Sequence, residues 1–160
     1  MTPDNQPFPA FLFSVDISIN GTSVCGGMFS EVSGLEATME PFAIREGGRN
    51  WGQVQRAGRI SFSTVILKRG MTVSRDLWSW FAFVNREQMA LGFRADARII
   101  MRDFAEEENA ETSHRPTMIW KLYRTLPVKF KIGDLNASSS QIAIEELHLV
   151  HQGIRFDPPA

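Results

Sequence analysis

The sequence has one cysteine, one tyrosine and almost no net charge, since its 160 residues include 17 Lys+Arg and 18 Asp+Glu for a net charge of -1. The lone Cys25 cannot form a disulfide within the chain, which excludes a disulfide-stabilised scaffold. A chain of this length buries roughly 70% of the surface that its unfolded form exposes, so its core needs no cross-links. The balanced charge argues against a protein that grips DNA or RNA through clustered cations, and we expect no stable nucleic-acid binding.

Long apolar runs are missing as well. No stretch approaches the ~20 apolar residues that a membrane-spanning helix requires, so we expect no membrane insertion by the monomer. The N-terminus carries Asp4 where a signal peptide would carry positive charge, which favours a soluble, intracellularly made protein. No repeat, low-complexity segment or linker divides the chain, and a single domain over residues 1–160 is predicted.

Twelve Phe and four Trp are a heavy aromatic load that favours a β-rich core or an extensive interface. Residues 11–19 alternate between apolar and mostly polar side chains, the pattern of a half-buried strand. Asn20-Gly21 then favours a type I′ turn and a return strand at about 24–31, because both residues tolerate positive φ.

Residues 36–68 are predicted to form a long hairpin that is wet on one side. Glu36, Thr38 and Glu40 alternate on its first strand, and the glycine-rich stretch 45–52 forms its loop. On the second strand Ile60, Phe62 and Ile66 are expected to face one way and to pack on the rest of the fold, and Arg59, Ser61 and Ser63 are expected to face the other way.

A helix is predicted over about 74–91 from the apolar stripe formed by Leu77, Trp80, Phe81, Val84 and Leu91. A polar loop follows at about 104–116, and further strands at 97–102, 118–126, 128–132 and 142–150. We therefore predict a mainly β fold, a β-sandwich or barrel with one flanking α-helix and a long extended hairpin.

No catalytic or metal-binding constellation stands out. His148 and His151 are three residues apart on a predicted strand, so they point to opposite faces and cannot share a metal ion. Cys25 has no nearby base and is interpreted as a buried structural thiol. Glu145 and Glu146 are adjacent on a strand, so one of them must point inward or towards a neighbouring subunit unless the sheet is wet on both faces.

Four blocks of sequence, taken together, are similar to those of a known family. They are residues 29–36, the Arg-Glu-Gly-Gly-Arg-Asn stretch at 45–50, residues 67–72, and the Leu-Trp-Ser-Trp stretch at 77–80. In this order and spacing they resemble the tail tube proteins of contractile phages and of phage-tail-like contractile injection systems. The strands at 120–127 and 142–153 are similar to the family's closing strands.

The resemblance implies a structural, non-enzymatic subunit of a rigid hollow inner tube. Six copies would form a ring, with the long hairpin contributing to an inter-subunit barrel, and rings would stack inside a sheath that drives the tube through a target envelope to deliver cargo. Expected partners are further copies of itself, the sheath protein, a baseplate or spike hub, and a tube terminator or cap. Assembly in the cytoplasm and no cofactor are expected. A main tube subunit and a tube initiator remain equally open, as do a phage tail and a protein-delivering system.

Two sets of residues follow from this resemblance. Candidates for subunit or ring interfaces are Arg45, Glu46, Gly47, Gly48, Arg49, Asn50, Lys68 and Arg69, with Arg45 and Glu46 as ion-pair formers. Candidates for the channel lining are Glu36, Thr38, Glu40, Arg59, Ser61 and Ser63, since a mixed, hydroxyl-rich wall would let cargo slide without binding.

A second interpretation is a small-ligand split-barrel enzyme of the flavin type. Gly47 and Gly48 could bind a phosphate through consecutive backbone N–H groups, and Trp51 could stack on a ring. Neither a phosphate-loop nor a dinucleotide-binding pattern is present, and no acid–base pair accompanies the glycines.

Overall fold

A computed structural model describes residues 11–45, 47–48, 51–86, 94–103 and 116–157. The strands before the helix are β1 Phe11–Ile19, β2 Thr22–Phe29, β3 Glu31–Ser33, β4 Ala37–Met39, β5 Phe42–Ile44, β6 Val54–Arg56, β7 Ile60–Phe62 and β8 Val65–Gly70. Helix α1 spans Asp76–Arg86. The later strands are β9 Ala95–Asp103, β10 Pro116–Ile132, β11 Ile144–Val150 and β12 Gly153–Asp157.

The main sheet runs in the order β2-β1-β9-β10-β11-β8-β3, with β12 paired to β10. The 17-residue strand β10 belongs to two layers. Its first part pairs with β9 and β12, and its last part pairs with β11. One continuous path of strands therefore forms both layers of a sandwich.

The passage of β10 between the layers takes place at Arg124, which has a φ of 52°. Its backbone N–H donates to Asp96 Oδ1 at 3.1 Å, and the buried Thr125 hydroxyl donates to the Ala95 carbonyl at 2.7 Å. Because a positive φ is unusual for a residue with a Cβ, these bonds compensate a locally unfavourable backbone.

The core lies between the layers and is closed at one side by α1. Val15, Ile17 and Ile99 come from one layer, Leu67 and Leu147 from the other, and all are buried. Leu77 and Trp80 of α1 pack against the same cluster. In the described part of the chain the terminal strands β2 and β3 do not pair, so the fold is a sandwich and no barrel closes within the subunit. The predicted mainly β fold with one flanking helix is confirmed.

One prediction about strand faces is wrong. The apolar side of the second hairpin strand was expected to pack on the sandwich, but Ile60 is exposed and Ile66 is only half-buried. Val65 and Leu67 enter the core instead. The sequence is apolar on both faces at 65–67. Ile60 lies in the ladder of β4 and β7, outside the main sheet, and stays exposed, whereas Phe62 is half-buried.

A buried ion cluster joins the helix to the sheet. Alternation along β8 turns Val65, Leu67 and Arg69 inward, and Arg69 lies directly opposite Glu145 of β11. The Arg69 guanidinium is bonded to the Glu145 carboxylate, to the Gly26 carbonyl at 2.9 Å and to Asp76 Oδ1 at 2.5 Å. Asp76 Oδ2 also accepts the Gly26 N–H at 3.1 Å. Arg69 is 6% exposed and Glu145 5%, so both charges depend on these partners.

We expect Arg69→Ala to lower the free energy of unfolding by about 3–5 kcal/mol, because two carboxylates lose their buried counter-charge. Urea unfolding followed by circular dichroism measures this. Arg98→Ala, on the exposed face of β9, serves as the control and should change the value by less than about 0.5 kcal/mol. Equal losses in the two variants would contradict the importance of the cluster.

Stability should also depend on pH through Asp76. Burial alone would raise the pKa of Asp76, but the hydrogen bonds from Arg69, the Gly26 N–H and Ser74 hold the pKa below its ordinary value of 3.8. A lowered folded-state pKa contributes stability that is complete above the ordinary value and is lost as the pH falls through the folded-state pKa. Wild type should therefore exceed Asp76→Asn in stability most at neutral pH, and the gap should narrow in acid. A gap that stays constant in urea titrations from neutral to acidic pH would refute this.

Candidate assembly surfaces

The long hairpin is built from two short ladders. Strand β4 pairs with β7, and β5 pairs with β6. Between the ladders, residues 40–41 on one side face residues 57–59 on the other, so the second side carries one extra residue. Such a bulge bends and twists a hairpin. The bend needs glycine at position 58, because a Cβ there would lie 2.0 Å from the Glu40 carbonyl oxygen.

All six predicted channel-lining residues lie on one face of this hairpin. Thr38 and Ser61 are direct cross-strand partners, and the Ser61 hydroxyl donates to the Thr38 carbonyl at 3.4 Å. The Glu40 N–H donates to the Arg59 carbonyl at 3.0 Å, which makes these two residues the next pair. The third pair is Glu36 with Ser63, joined by a backbone bond of 3.3 Å. Opposite residues share a face, and five of the six are exposed while Ser63 is half-buried.

The opposite face of the first ladder is apolar and is also exposed. Met39 lies opposite Ile60, and Ala37 opposite Phe62. Phe42, beyond the bend, exposes about half of its side chain. Apolar side chains grouped on an exposed surface indicate an interaction site. The hairpin of the isolated subunit therefore has one polar and one apolar face, and its own chain leaves both largely exposed, with Phe62 and Ser63 half-buried.

The hairpin is attached at its base by an aromatic contact. The Phe62 ring packs on the His151 ring with centroids 5.1 Å apart. His151 Nδ1 lies 3.0 Å from the Gly153 carbonyl, which only accepts, so the ring donates from Nδ1. His148 points elsewhere, towards Glu146, so the two histidines do not converge.

The hairpin end carries most of the interface candidates. Arg45, Gly47 and Gly48 are exposed, and Trp51 is 95% exposed. Glu46, Arg49 and Asn50 lie outside the described residues. So do residues 104–115 of the polar loop predicted at 104–116, and positions 87–91 of the predicted helix. A flavin ring stacked on Trp51 would need surrounding walls, and the exposure of this side chain gives the enzyme interpretation no support.

The two remaining candidates, Lys68 and Arg69, point to opposite sides of β8. Lys68 lies on the outer face in a row of alternating charge across four strands, Lys131, Glu146, Lys68 and Glu31. Its Nζ is 3.1 Å from Glu31 Oε1. Arg69 faces the core, and the hydrogen bonds of its guanidinium are made within the subunit. The sequence signal for this inward position is the two-residue period of a strand, which places Arg69 on the same face as Val65 and Leu67.

Metal-ligating side chains do not converge in the described ranges. No cluster of three or more His, Cys, Asp or Glu could hold a metal ion there. Burial raises the pKa of the Cys25 thiol to about 12, so it is an inert structural thiol, as predicted. Among these residues no helix has the length and apolar character needed to cross a membrane.

A β-sandwich with an exposed hairpin that has one polar and one apolar face is typical of a structural subunit that assembles with other chains. The model of the T4-like virus tail tube protein gp19 family matches residues 9–155. The chain belongs to this family and is a structural subunit of a tail tube, a component of a phage tail or tail-like particle. The resemblance found in the sequence is confirmed.

Solved structures agree with this assignment. A chain in the cryo-EM structure of the anti-feeding prophage (AFP) baseplate is 27% identical, with a TM-score of 0.73, and the match covers 96% of this chain and 97% of that one. A chain of the PVC sheath-tube complex, from an extracellular contractile injection system in its extended state, is 20% identical with a TM-score of 0.72, covering 97% and 94%. An Hcp protein crystal structure shares the fold at 11% identity and a TM-score of 0.57, covering 93% of each chain. No curated protein matches the sequence.

Proposed function

We propose that this tail tube subunit forms six-membered rings that stack into a rigid hollow tube, and that the hairpin's polar face lines the channel. The observation that carries the proposal is the convergence of Glu36, Thr38, Glu40, Arg59, Ser61 and Ser63 on one exposed face. The apolar reverse face would pack on neighbouring copies, since a ring gives each hairpin an adjacent subunit to cover it. Each subunit then contributes the hairpin to a barrel shared by the ring.

The partners follow from the structures that this chain resembles. These structures include a six-fold symmetrised AFP baseplate, a PVC sheath-tube complex and a tube-terminating AFP cap. We infer that this tube likewise assembles on a baseplate or spike hub, is surrounded by a sheath and ends in a terminator. Sheath contraction would drive it through a target envelope with its cargo. The tube needs only stiffness and an inert wall, so no cofactor or reaction is required of it.

The hairpin end, 45–50, is proposed as the contact between rings, and Lys68 as a second contact residue. Arg45 is exposed and directly follows strand β5. A charge reversal there would oppose any acidic partner on the next ring. Interface charges of this kind affect association without affecting the fold of the subunit.

Purified protein should form six-fold rings or hollow rods, visible by negative-stain electron microscopy, with multiples of six subunits in mass photometry. Arg45→Glu should leave rings intact and reduce stacking at least tenfold, because one buried charge contact is worth more than about 1.4 kcal/mol. Arg86→Glu, at another exposed arginine at the end of α1, is the matched control. Full-length rods from Arg45→Glu would exclude Arg45 from the ring contact, and another rotational symmetry would exclude the hexamer.

The channel wall can be tested at Ser61. In assembled rods a Ser61→Cys variant should react with a small maleimide but not with a polymer-linked maleimide too large for the channel. Dissociated subunits of the same variant should react with both reagents, since Ser61 is exposed in the single chain. Mass spectrometry of the labelled protein measures each fraction. Reaction of intact rods with both reagents, or with neither, would place Ser61 outside the channel.

A further inference from the structure

A row of like charges crosses the outer face of the layer that contains β1, β9, β12 and the first part of β10. Arg98 of β9 lies directly opposite Lys121 of β10, and Lys121 lies directly opposite Arg155 of β12. Ile99 and Leu122, next to these positions along the strands, are buried in the core, so the cations point outward. Neighbouring strands are about 4.8 Å apart, so the three side chains begin within roughly 10 Å of one another.

The two outer faces of the sandwich differ in how their charges are arranged. On the other layer the row of Lys131, Glu146, Lys68 and Glu31 alternates in sign. Like charges on directly opposite residues destabilise a sheet, because they repel each other across the ladder. The chain therefore has one row whose charges compensate one another and one row whose charges do not. A local rule broken without such compensation is typical of a functional surface.

Two carboxylates border the basic row and leave its middle uncompensated. At one end Arg155 Nε lies 2.8 Å from Asp157 Oδ1, and 68% of the Arg155 side chain is exposed. An ion pair at such an exposed position contributes little. At the other end Asp16 lies opposite Arg98, but the Asp16 carboxylate accepts from the Ser23 hydroxyl at 2.8 Å.

Lys121, in the middle of the row, has no carboxylate beside it to neutralise its charge. Its Nζ lies 5.0 Å from the centroid of the Tyr123 ring, a contact that stabilises a cation without neutralising it. In the part of the chain that the structure describes, neither Lys121 nor Arg98 belongs to an ion pair. Arg98 is exposed and Lys121 is half-buried, so a partner can reach both side chains from outside.

A short acidic segment of another protein fits the chemistry of this row. Carboxylates placed over Arg98 and Lys121 would relieve the repulsion between the two cations and would accept charge-assisted hydrogen bonds from them. A nucleic acid fits less well, because its phosphates continue past both ends of the row and would meet Asp16 and Asp157. A short acidic segment ends where the cations end.

We infer that the outer face of β9, β10 and β12 binds an acidic segment of a partner protein, and that Arg98 and Lys121 contact its carboxylates. The inference goes beyond the proposed function, because it depends neither on the ring nor on the channel lining. It also accounts for a like-charge pair that lowers the stability of the free subunit.

The substitution Lys121→Glu tests both the repulsion and the binding. It gives the row an alternating sign, as on the other layer, so the urea midpoint of the free subunit should rise. It also places a carboxylate at the proposed contact, so the affinity for an acidic partner should fall. Lys131→Glu makes the same change of charge on the outer face of the other layer and is the matched control, with binding equal to that of the wild type.

A fluorescently labelled peptide with three consecutive glutamates is the probe, and the same peptide with glutamines in their place is its control. Fluorescence anisotropy at low ionic strength should show that the full-length protein binds the glutamate peptide, and that Lys121→Glu weakens this binding at least tenfold. Urea unfolding followed by circular dichroism measures the midpoint. A position with only a structural role would change the midpoint and leave peptide binding as it is.

The remaining outcomes would each overturn a stated part. A lower urea midpoint for Lys121→Glu, equal peptide binding by the variant and the wild type, or no binding by either would overturn the inference. Equally tight binding of a single-stranded oligothymidylate would assign the row to nucleic acid and overturn it too. Lys121→Glu should form rings and rods like the wild type in electron micrographs, and their loss would place a second copy on this face instead. Absence of rings and rods from the wild type would reject the proposed function alone.

Discussion

The position of helix α1 depends on the buried guanidinium of Arg69. A guanidinium removed from water must have its N–H groups and charge satisfied by protein groups. Here the partners come from three elements: Glu145 on β11, the Gly26 carbonyl on β2, and Asp76 at the start of α1. Apolar burial of Leu77 and Trp80 draws the helix to the sandwich but has no preferred direction. The directional bonds of Arg69 decide where along the sheet the helix begins.

The same cluster helps to hold in place the exposed segment between β8 and α1. The segment that follows β8 is fixed at one end by the Met71 N–H, which donates to the Ala143 carbonyl at 2.8 Å, and at the other by Asp76. In between, the Ser74 N–H donates to the Thr72 hydroxyl at 3.2 Å. Val73 and Trp78 are thus presented outward on a restrained backbone. A preformed apolar surface loses less conformational entropy on binding a partner than a mobile loop would.

How far the sequence predicts the molecule depends on whether the signal is local. Alternation at 11–19, the Asn20-Gly21 turn and the helical stripe at 77–84 are local, and the strands and helix there agree with prediction. The six predicted channel-lining residues share a face because one hairpin register pairs Glu36 with Ser63, Thr38 with Ser61, and Glu40 with Arg59. The sequence did not predict the Arg69 cluster, because the cluster joins strands that are distant in sequence. The inward face of the second hairpin strand was predicted wrongly, because residues 65–67 are apolar on both faces of the strand. Inward alternation of Arg69 and Glu145 was visible, but their register was not.

The hairpin shows why the single chain is an incomplete structure. An isolated two-stranded ladder is marginally stable in water, and this one is joined to the sandwich mainly through its strand continuity and the Phe62–His151 contact. Met39, Phe42 and Ile60 are exposed in the single chain, and burying each of these side chains in an interface would contribute roughly 1–2 kcal/mol of hydrophobic free energy. In the proposed ring, a neighbour that covers the apolar face would also leave the polar face turned towards the water of the channel. Apolar burial and channel lining would then both result from one placement of the hairpin.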